Sequence, residues 1–394
     1  MKKRGGRRAV DEKRGSMTAV QNAEVSGRRV AVRWREGGAA EFPSLWLRDN
    51  CRCPQCRHPG NGQRLLDTLD IPEDIAPKAI AAKGDAVEIG WSDGHDSRYS
   101  ADWLKAHELT PEAHARRRPH LRIWGKEIAN DLPRADWNEL GRSAEGERTF
   151  LAHYHEFGFG LVDNVPVRSG MVVEAGNRFG HVRVTNYGAY FDVKSIPNPN
   201  NLAYTSVGLG VHTDNPYRDP SPGIQLLHCL EADAPGGDSI LVDGFKVAED
   251  LRREDPAAFE RLTKLPQHFH FWDKNAELEA DQRVIHTDHE GNVRSVHFNN
   301  RSAAPIDLPL EEIEGWYAAY RRFARMLRRP EGELRFRLAP GQLLMFQNDR
   351  VLHGRDGFDP NLGRRHLQGC YIDQDGIRSR WRVLERDRGA EARA

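Results

Sequence analysis

Residues 210–217, "GVHTDNPY", place a histidine and a carboxylate two positions apart, at His212 and Asp214. In an extended segment such a pair points to the same face, so both side chains can bind one metal ion. The stretch leaves a glycine-rich loop and leads into "IQLLHCL" (224–230), an apolar run that we interpret as a buried strand. This context favours metal ligands at the mouth of a strand.

The same pattern occurs a second time, as His286 and Asp288 in "VIHTDHEGN" (284–292). This copy continues directly into "HEGN", where polar residues and glycine favour the turn of a hairpin. We therefore predict that His286 and Asp288 serve the turn, and that the first pair binds the metal.

A third ligand should come from a distant strand. His353 lies in "NDRVLHGRDGF" (348–358), 141 residues after His212, and Arg365 follows twelve residues later, on a predicted strand. Two histidines and one carboxylate on one face leave three positions of Fe(II) free for a cosubstrate and O₂. An arginine on an adjacent strand can bind a distal carboxylate through two parallel hydrogen bonds. The spacing therefore predicts an iron site with a carboxylate clamp beside it.

A second metal site is indicated by Cys51, Cys53 and Cys56 in "LRDNCRCPQCRHPG" (47–60). Three thiolates suit zinc, which prefers tetrahedral sulfur and nitrogen ligands. We favour His95 as the fourth ligand because a tetrahedral site usually draws its last ligand from a separate segment. His58 and a reduced cluster without metal are the alternatives. Four protein ligands leave no open position, so this zinc would be structural.

Length and composition limit the other options. The chain has 394 residues, enough for two domains, and Lys plus Arg equals Asp plus Glu at 58 each. This balance predicts no nucleic-acid or membrane partner, and no apolar run approaches the roughly 20 residues of a membrane span. Five cysteines, three of them clustered, do not form a disulfide framework, which favours a cytoplasmic location.

The strand pattern divides the chain into three parts. Residues 1–16 form a basic tail that we expect to be disordered, 17–118 a small strand-rich zinc-binding domain, and 119–394 the catalytic domain. Many later strands without regular alternation with helices favour a mainly β fold, a sandwich or jelly roll with added helices. The clearest helix is 311–328, whose apolar stripe includes Trp316 and Tyr317.

Several motifs, in this order along the chain, resemble the family of γ-butyrobetaine and trimethyllysine dioxygenases. They are "LWLRDNCRCPQC", "VHTDNPY", "GIQLLHCL", "GGDS", "VDGF", "LHGR" and "RRHLQGCY". The resemblance covers about residues 28–385 and implies a double-stranded β-helix core, Fe(II), 2-oxoglutarate and O₂, with ascorbate as a candidate reductant. It also implies a homodimer.

Carried over residue by residue, the resemblance assigns both metal sites. It implies that His212, Asp214 and His353 bind iron and that Arg365 binds 2-oxoglutarate, with Arg364 as the alternative. The implied zinc ligands are Cys51, Cys53, Cys56 and His95.

The substrate implied is a trimethylammonium compound. Such a group cannot donate a strong hydrogen bond, so proteins hold it against aromatic faces. By resemblance the aromatic cage comprises Tyr187, Phe191, Tyr204 and Tyr371, and the substrate carboxylate meets Asn201 and Asn299. The family often has tryptophan where Phe191 stands.

The reaction expected is hydroxylation of γ-butyrobetaine at C3 to L-carnitine, with 2-oxoglutarate converted to succinate and CO₂. Trimethyllysine and 2-trimethylaminoethylphosphonate are alternative substrates. A catalytically inactive, zinc-containing binding module is a more remote alternative.

Overall fold

The computed structural model describes residues 18–118, 120–194 and 205–391. The chain divides into two compact units, Met1–Arg118 and Pro119–Ala394. The expected tail 1–16 and two predicted substrate residues, Asn201 and Tyr204, lie outside the described residues. None of the described helices is both long and apolar enough to span a bilayer.

The first unit is built from short antiparallel strands in two sheets, with strand orders β1-β2-β3 and β4-β5-β6. Its strands are β1 (Val20–Ser26), β2 (Arg29–Trp34), β3 (Ala39–Pro43), β4 (Pro77–Ala82), β5 (Ala86–Trp91) and β6 (Asp96–Ser100). Its helices are α1 (Ser44–Asp49), α2 (Ala101–Ala106) and α3 (Pro111–Arg117), with a 3-10 turn at Thr68–Asp70. Buried and more exposed residues alternate along strand β2, with Val30, Val32 and Trp34 buried. This apolar face is part of the core of the unit.

The second unit carries the longer sheets and most of the helices. Its strands are β7 (Arg134–Asp136), β8 (Phe159–Asp163), β9 (Phe191–Val193), β10 (Leu209–His212), β11 (Ile224–Ala232), β12 (Ser239–Asp243), β13 (Pro266–Trp272), β14 (Glu277–Arg283), β15 (Ile285–Thr287), β16 (Val293–Val296), β17 (Glu333–Phe336), β18 (Leu343–Gln347), β19 (Val351–Arg355) and β20 (Arg365–Ile372). Its helices are α4 (Trp137–Arg142), α5 (Ala144–Phe157), α6 (Met171–Phe179), α7 (Gly244–Glu254), α8 (Pro256–Lys264), α9 (Leu310–Met326) and α10 (Gln374–Glu391), with 3-10 turns at Lys126–Asn130 and Pro330–Gly332.

Two sheets of this unit enclose a cavity. One has the strand order β7-β8-β18-β11-β20-β9 and the other β10-β19-β12-β17. The predicted strand "IQLLHCL" is present as β11, and the next strand, "SILVD", is β12; the two lie in opposite sheets and do not pair with each other. The chain therefore crosses from one sheet to the other at "APGGD", as a jelly roll requires.

Helix α9 covers an apolar cluster beside the cavity sheets. It begins at Leu310 and ends at Met326, close to the predicted 311–328. Trp316 is fully buried and stacks on Tyr320 at 4.7 Å between ring centroids. The prediction that Tyr317 belongs to the buried stripe is wrong, because its side chain is 48% exposed. It follows Trp316 directly and so points about 100° away around the helix.

Candidate active site and zinc site

The His-x-Asp pair and the distant histidine meet at the paired ends of two strands. His212 ends β10 and lies directly opposite His353 of β19 in the antiparallel ladder. Cross-strand neighbours share a face, and their ring centroids are 4.3 Å apart. Asp214 Oδ1 lies 3.3 Å from His212 Nε2 and 3.7 Å from His353 Nε2. The three side chains can therefore donate to a single ion.

The hydrogen bonds of these residues fit a metal. His212 Nδ1 lies 2.9 Å from the carbonyl oxygen of Gly210, to which it must donate, so Nε2 carries the lone pair of the neutral ring. That lone pair faces a carboxylate oxygen of Asp214. Two acceptors at this distance need a cation between them, and two histidines with one carboxylate are the ligand set of non-haem Fe(II) oxygenases.

The electrostatics keep the ligands in their metal-binding forms. Burial lowers the pKa of His353 to about 3, and burial followed by the charge of Arg301 lowers the pKa of His212. Burial opposes ionisation of Asp214, but His353, His212 and Arg301 outweigh it and hold the pKa of the carboxyl well below its usual range. Neutral imidazoles and an ionised carboxylate are the forms that donate electron pairs to a metal.

Asp214 is held rigidly by two side chains that the sequence did not indicate as its partners. Its backbone N–H donates to Asn348 Oδ1 at 2.7 Å, and Asn348 Nδ2 donates back to its carbonyl at 3.0 Å. The hydroxyl of Tyr371 donates to Asp214 Oδ2 at 2.8 Å. Tyr371, predicted as a wall of the cage, thus also orients a ligand, as outer partners of metal ligands commonly do.

Arg365 and Arg364 lie on opposite faces of the chain. Arg365 begins β20, pairs with Ala232 and lines the cavity. The side chain of Arg364 is 81% exposed and lies 3.6 Å from Glu231. This placement favours Arg365 as the cosubstrate residue, although the assignment stays a prediction.

The side chain of Arg365 packs against a glycine and an aromatic ring. Its guanidinium carbon lies 5.6 Å from the ring centroid of Phe358. A Cβ on Gly237 would lie 2.7 Å from Arg365 Nε, and the φ angle of Gly237 is +71°. Gly237 in the "APGGD" crossover thus leaves room for the arginine stem.

We expect Gly237→Ala to weaken 2-oxoglutarate binding. The added methyl group would push the guanidinium away from a bound carboxylate, and losing one charge-assisted hydrogen bond raises KM by roughly ten- to a hundredfold. Gly291→Ala is the matched control, since Gly291 has a φ of +83° but nothing within 4 Å of a Cβ. Equal KM values for 2-oxoglutarate in the two variants would contradict this role.

Three of the four predicted cage aromatics are described, and they cluster. The ring of Phe191 lies 5.2 Å from that of Tyr371 and 6.2 Å from that of Tyr187. Phe191 rests on the strand β20 at Gly369, where a Cβ would come within 2.6 Å of the ring. All three aromatics line the same cavity as the histidines and Asp214.

Asn299 is placed differently from its predicted neighbours. It is 5% exposed, and the structure does not place it among the described residues that line the cavity. Its Nδ2 donates to the carbonyl of Thr213 at 3.0 Å, and its Oδ1 accepts from the N–H of Arg301 at 3.1 Å. Its contact with a substrate carboxylate stays a prediction.

The second His-x-Asp pair serves a turn, as its context indicated. Asp288 Oδ1 accepts the backbone N–H groups of Glu290 and Asn292, and its Oδ2 lies 2.6 Å from Arg294. His286 packs edge-on against His297. Neither belongs to a metal-ligand cluster within the described part of the chain.

The cavity contains two arginines besides Arg365. Arg355 and Arg301 both line the cavity. Burial lowers the pKa of Arg355 to about 10, with further contributions from Arg365 and Arg301. Arg355 ends the strand that carries His353, and alternation along that strand was the available signal. Arg301 follows a turn and has no comparable signal.

A second layer of aromatics supports the cage. Tyr217 stacks on Phe271 at 5.0 Å, and its hydroxyl lies 3.1 Å from that of Tyr187. The Tyr217 hydroxyl also donates to Asn215 Oδ1 at 2.6 Å. Tyr187 is therefore fixed through its hydroxyl by a neighbouring tyrosine.

In the first unit the three cysteines and His95 come together. The Sγ atoms of Cys51, Cys53 and Cys56 lie 3.3, 3.5 and 3.6 Å from His95 Nε2. A tetrahedral zinc with Zn–S bonds of ~2.3 Å and Zn–N bonds of ~2.0 Å separates sulfur and nitrogen by about 3.5 Å. The spacing therefore fits zinc without rearrangement.

A buried arginine connects the two parts of this site. Arg48 Nε donates to Asp93 Oδ2 at 2.8 Å, and its NH1 lies 3.5 Å from Cys56 Sγ. Asp93 Oδ1 accepts the backbone N–H of His95 at 3.0 Å. Arg48 thus offsets thiolate charge and orients the segment that supplies the fourth ligand, while His58 accepts from Gly60 in its own loop.

Known families match both units. The sequence model of the family "Taurine catabolism dioxygenase TauD, TfdA family" matches residues 113–371, and "Gamma-butyrobetaine hydroxylase-like, N-terminal" matches residues 21–105. A gamma-butyrobetaine dioxygenase from Pseudomonas sp. (strain AK-1) is 38% identical over 361 residues, 91% of this chain and 94% of the relative. The human gamma-butyrobetaine dioxygenase is 32% identical over 93% of this chain and 97% of its own length.

Relatives named trimethyllysine dioxygenase also match this chain. A mitochondrial trimethyllysine dioxygenase from Bos taurus is 33% identical over 87% of this chain and 82% of its own length. Among solved structures, a taurine dioxygenase from Burkholderia xenovorans is 15% identical, covers 66% of this chain and 94% of its own, and has a TM-score of 0.47. The predicted oxygenase fold and enzyme class are confirmed by the family match. The chain belongs to the TauD, TfdA dioxygenase family and, within it, groups with the gamma-butyrobetaine dioxygenases.

Proposed function

We propose that this enzyme hydroxylates γ-butyrobetaine at C3 to give L-carnitine, while 2-oxoglutarate and O₂ become succinate and CO₂. One oxygen atom enters the C3–H bond, and the other enters the new carboxylate of succinate. The observation that carries this proposal is one cavity with a ligand triad, an arginine and a cluster of aromatic rings. The triad would hold Fe(II), the arginine would bind 2-oxoglutarate, and the aromatic rings would hold the trimethylammonium group of the substrate.

Strand β20 runs from one end of this cavity to the other. Arg365, Leu367 and Tyr371 alternate with outward residues along the strand, and all three line the cavity. Six residues at ~3.3 Å each put Arg365 and Tyr371 about 20 Å apart, measured along the backbone. A dicarboxylate at the Arg365 end and a trimethylammonium group at the Tyr371 end can therefore occupy one face together.

The triad lies on the opposite sheet, on the strands β10 and β19. His212, Asp214 and His353 would hold Fe(II) on one side and leave three positions open. Fe(II), when bound, supplies the binding of 2-oxoglutarate and O₂ and the oxidation of the substrate carbon. The part played by this chain is positioning, because the C–H bond nearest the metal decides which carbon is hydroxylated.

The aromatic rings suit a cation that needs no hydrogen bond. The hydroxyl of Tyr371 is used by Asp214, and that of Tyr187 lies against the hydroxyl of Tyr217. Asn201, Tyr204 and Asn299 complete the proposed substrate site.

The test is a substrate panel that measures succinate release and hydroxylated product together. γ-Butyrobetaine should give both in equal amounts, and more efficiently than trimethyllysine. Trimethyllysine is the second candidate because relatives of that name match most of the chain. No succinate above background with any trimethylammonium compound would favour the inactive binding module instead.

We expect the aromatic residues of the cage to recognise the positive charge of the trimethylammonium group and not only its shape. A cation–π contact contributes roughly 0.5–2 kcal/mol, so Phe191→Leu should weaken γ-butyrobetaine binding about two- to thirtyfold. Phe191 is the clean choice because its side chain has no polar atom to leave unpaired. The analogue 5,5-dimethylhexanoate, in which an uncharged tert-butyl group replaces the trimethylammonium group, should bind the wild type more weakly than γ-butyrobetaine does, and Phe191→Leu should barely change its affinity. Equal affinities of the two ligands for the wild type would mean that these rings are ordinary core residues.

Further features belong to the same proposal. We propose that the thiolate site holds Zn(II), which its sulfur–nitrogen spacing supports. Ascorbate as reductant and a homodimer are supported by the family resemblance, and a cytoplasmic location by the cysteine usage. Light scattering of the purified enzyme would test the dimer.

A further inference from the structure

The aromatic end of the cavity depends on a very short strand. Strand β9 has three residues and lies at one edge of its sheet, beside β20. Its backbone pairs Phe191 with Gly369 and Val193 with Leu367. Phe191 and Val193 both line the cavity. Because side chains alternate along a strand, the residue between them, Asp192, points to the other side of the sheet.

On this outer side, Asp192 joins β9 to β20. Its Oδ1 accepts a hydrogen bond from Gln368 Nε2 at 2.9 Å and lies 2.8 Å from His366 Nε2, which must donate to it. Gln368 is 1% exposed and is itself held in place. Its Oε1 accepts the backbone N–H of Gly170 at 2.8 Å, and its Nε2 also donates to Ser169 Oγ at 3.0 Å. The network therefore connects the edge strand to its neighbour and to the turn that precedes α6.

The carboxyl group of Asp192 is kept in the form that accepts both hydrogen bonds. Burial opposes its ionisation, but the hydrogen bonds from Gln368 and His366 outweigh burial and hold the pKa of the carboxyl below its ordinary value. Hydrogen bonds to an ionised carboxylate are stronger than those between neutral groups. A typical strand has about five or six residues, so backbone pairing alone holds β9 weakly and these side-chain bonds matter more.

We propose that Asp192 is a positioning residue for the aromatic end of the cavity. By fastening the outer side of β9, it keeps the ring of Phe191 packed over Gly369 and beside Tyr371. This inference rests on the proposed function, since it assumes that the rings hold a trimethylammonium group. A displaced Phe191 would let the substrate shift, and the placement of its C–H bond decides whether that bond is hydroxylated. Oxidation of 2-oxoglutarate would then continue without an equal yield of product.

Hydrogen exchange tests the fastening of β9 without any substrate. The backbone amides of β9 should exchange faster in Asp192→Ala than in the wild type, because local opening of the strand becomes easier. Asp192→Asn keeps an acceptor oxygen and should restore part of the protection. Arg134→Ala is the matched control: Arg134 donates to Asp163 and fastens the three-residue strand β7 at the opposite edge of the same sheet. It should leave exchange in β9 unchanged. Equal exchange of β9 in the wild type and Asp192→Ala would overturn the proposal.

A double-variant cycle tests whether Asp192 acts through Phe191. Asp192→Ala should raise KM for γ-butyrobetaine by about two- to thirtyfold, the range expected for loss of the Phe191 ring itself. It should also release more succinate than hydroxylated product. Adding Asp192→Ala to Phe191→Leu should change KM little, since the ring that Asp192 positions is already gone.

Two results would overturn the positioning role. One is that the effects of the two substitutions on KM add. The other is that Asp192→Ala loses succinate and product equally, as a merely destabilised enzyme would. A failure of the proposed function looks different, because then the wild type itself would not hydroxylate γ-butyrobetaine, while the difference in hydrogen exchange would persist.

Discussion

Asp214→Ala is expected to lower turnover of every substrate by about a thousandfold or more, whereas Asp288→Ala should leave turnover near that of the wild type. Loss of an outer partner of a metal ligand already costs about 10–100-fold, and Asp214 is proposed as a ligand itself. Without its carboxylate the two histidines hold Fe(II) from one side with no anionic donor. Succinate release and anaerobic Fe(II) binding measure the two effects separately.

Asp288→Ala is a demanding control because it changes the same residue type in the same local sequence. Asp288 accepts the turn N–H groups of Glu290 and Asn292, so its loss should destabilise the hairpin by about 1–3 kcal/mol. Fe(II) affinity should stay at the wild-type value. If Asp288→Ala lost Fe(II) while Asp214→Ala kept it, the two pairs would have exchanged roles.

The triad could be predicted because its chemistry is local in sequence. His212 and Asp214 are two positions apart on an extended segment, and a distant histidine completes the set. The sequence did not show that His353 lies in a strand directly opposite His212. That pairing depends on the register between segments more than a hundred residues apart, which no short pattern encodes.

Register also explains the ambiguity between Arg364 and Arg365. Neighbouring residues of a strand face opposite sides, so a shift of one position would exchange the two. In the structure Arg365 pairs with Ala232 and lines the cavity, whereas the side chain of Arg364 is exposed. Gly237, whose positive φ suits a turn, also makes room for Arg365. Such a double role becomes visible only when two strands from opposite sheets are brought together.

Arg301 and the buried position of Asn299 were beyond sequence patterns for another reason. Both lie after β16, in a segment whose path is set by hydrogen bonds to Thr213 rather than by a strand or helix. Periodicity therefore carries no information there. The aromatic cluster shows the same limit, since Tyr217 and Phe271 reach Tyr187 from separate parts of the chain.

The zinc site gives the second large effect, and it acts on folding rather than chemistry. The thiolates come from the segment after α1, and His95 comes from the turn between β5 and β6. A bound zinc would join these segments and remove the repulsion among three thiolates. Structural zinc binding contributes about 10–16 kcal/mol in zinc-finger peptides at neutral pH. The net effect here should be smaller, because the first unit also has its own apolar core.

We therefore expect the variants Cys53→Ser and His95→Ala each to lose most of the zinc. Each should also lower the unfolding temperature of the first unit by more than 10 °C, because 1 kcal/mol shifts Tm by roughly 4–8 °C in a domain of this size. His58→Ala is the matched control: it removes a histidine two residues after Cys56 whose ring accepts from Gly60, and zinc content should stay near one per chain. Elemental analysis and calorimetry provide the measurements. Fe(II) binding at the triad should survive in Cys53→Ser, because the triad is built entirely from the second unit. Loss of zinc in His58→Ala with full zinc in His95→Ala would move the fourth ligand into the cysteine loop itself. In that case zinc would close only a short local loop, and the large stabilisation expected from joining two separate segments would disappear.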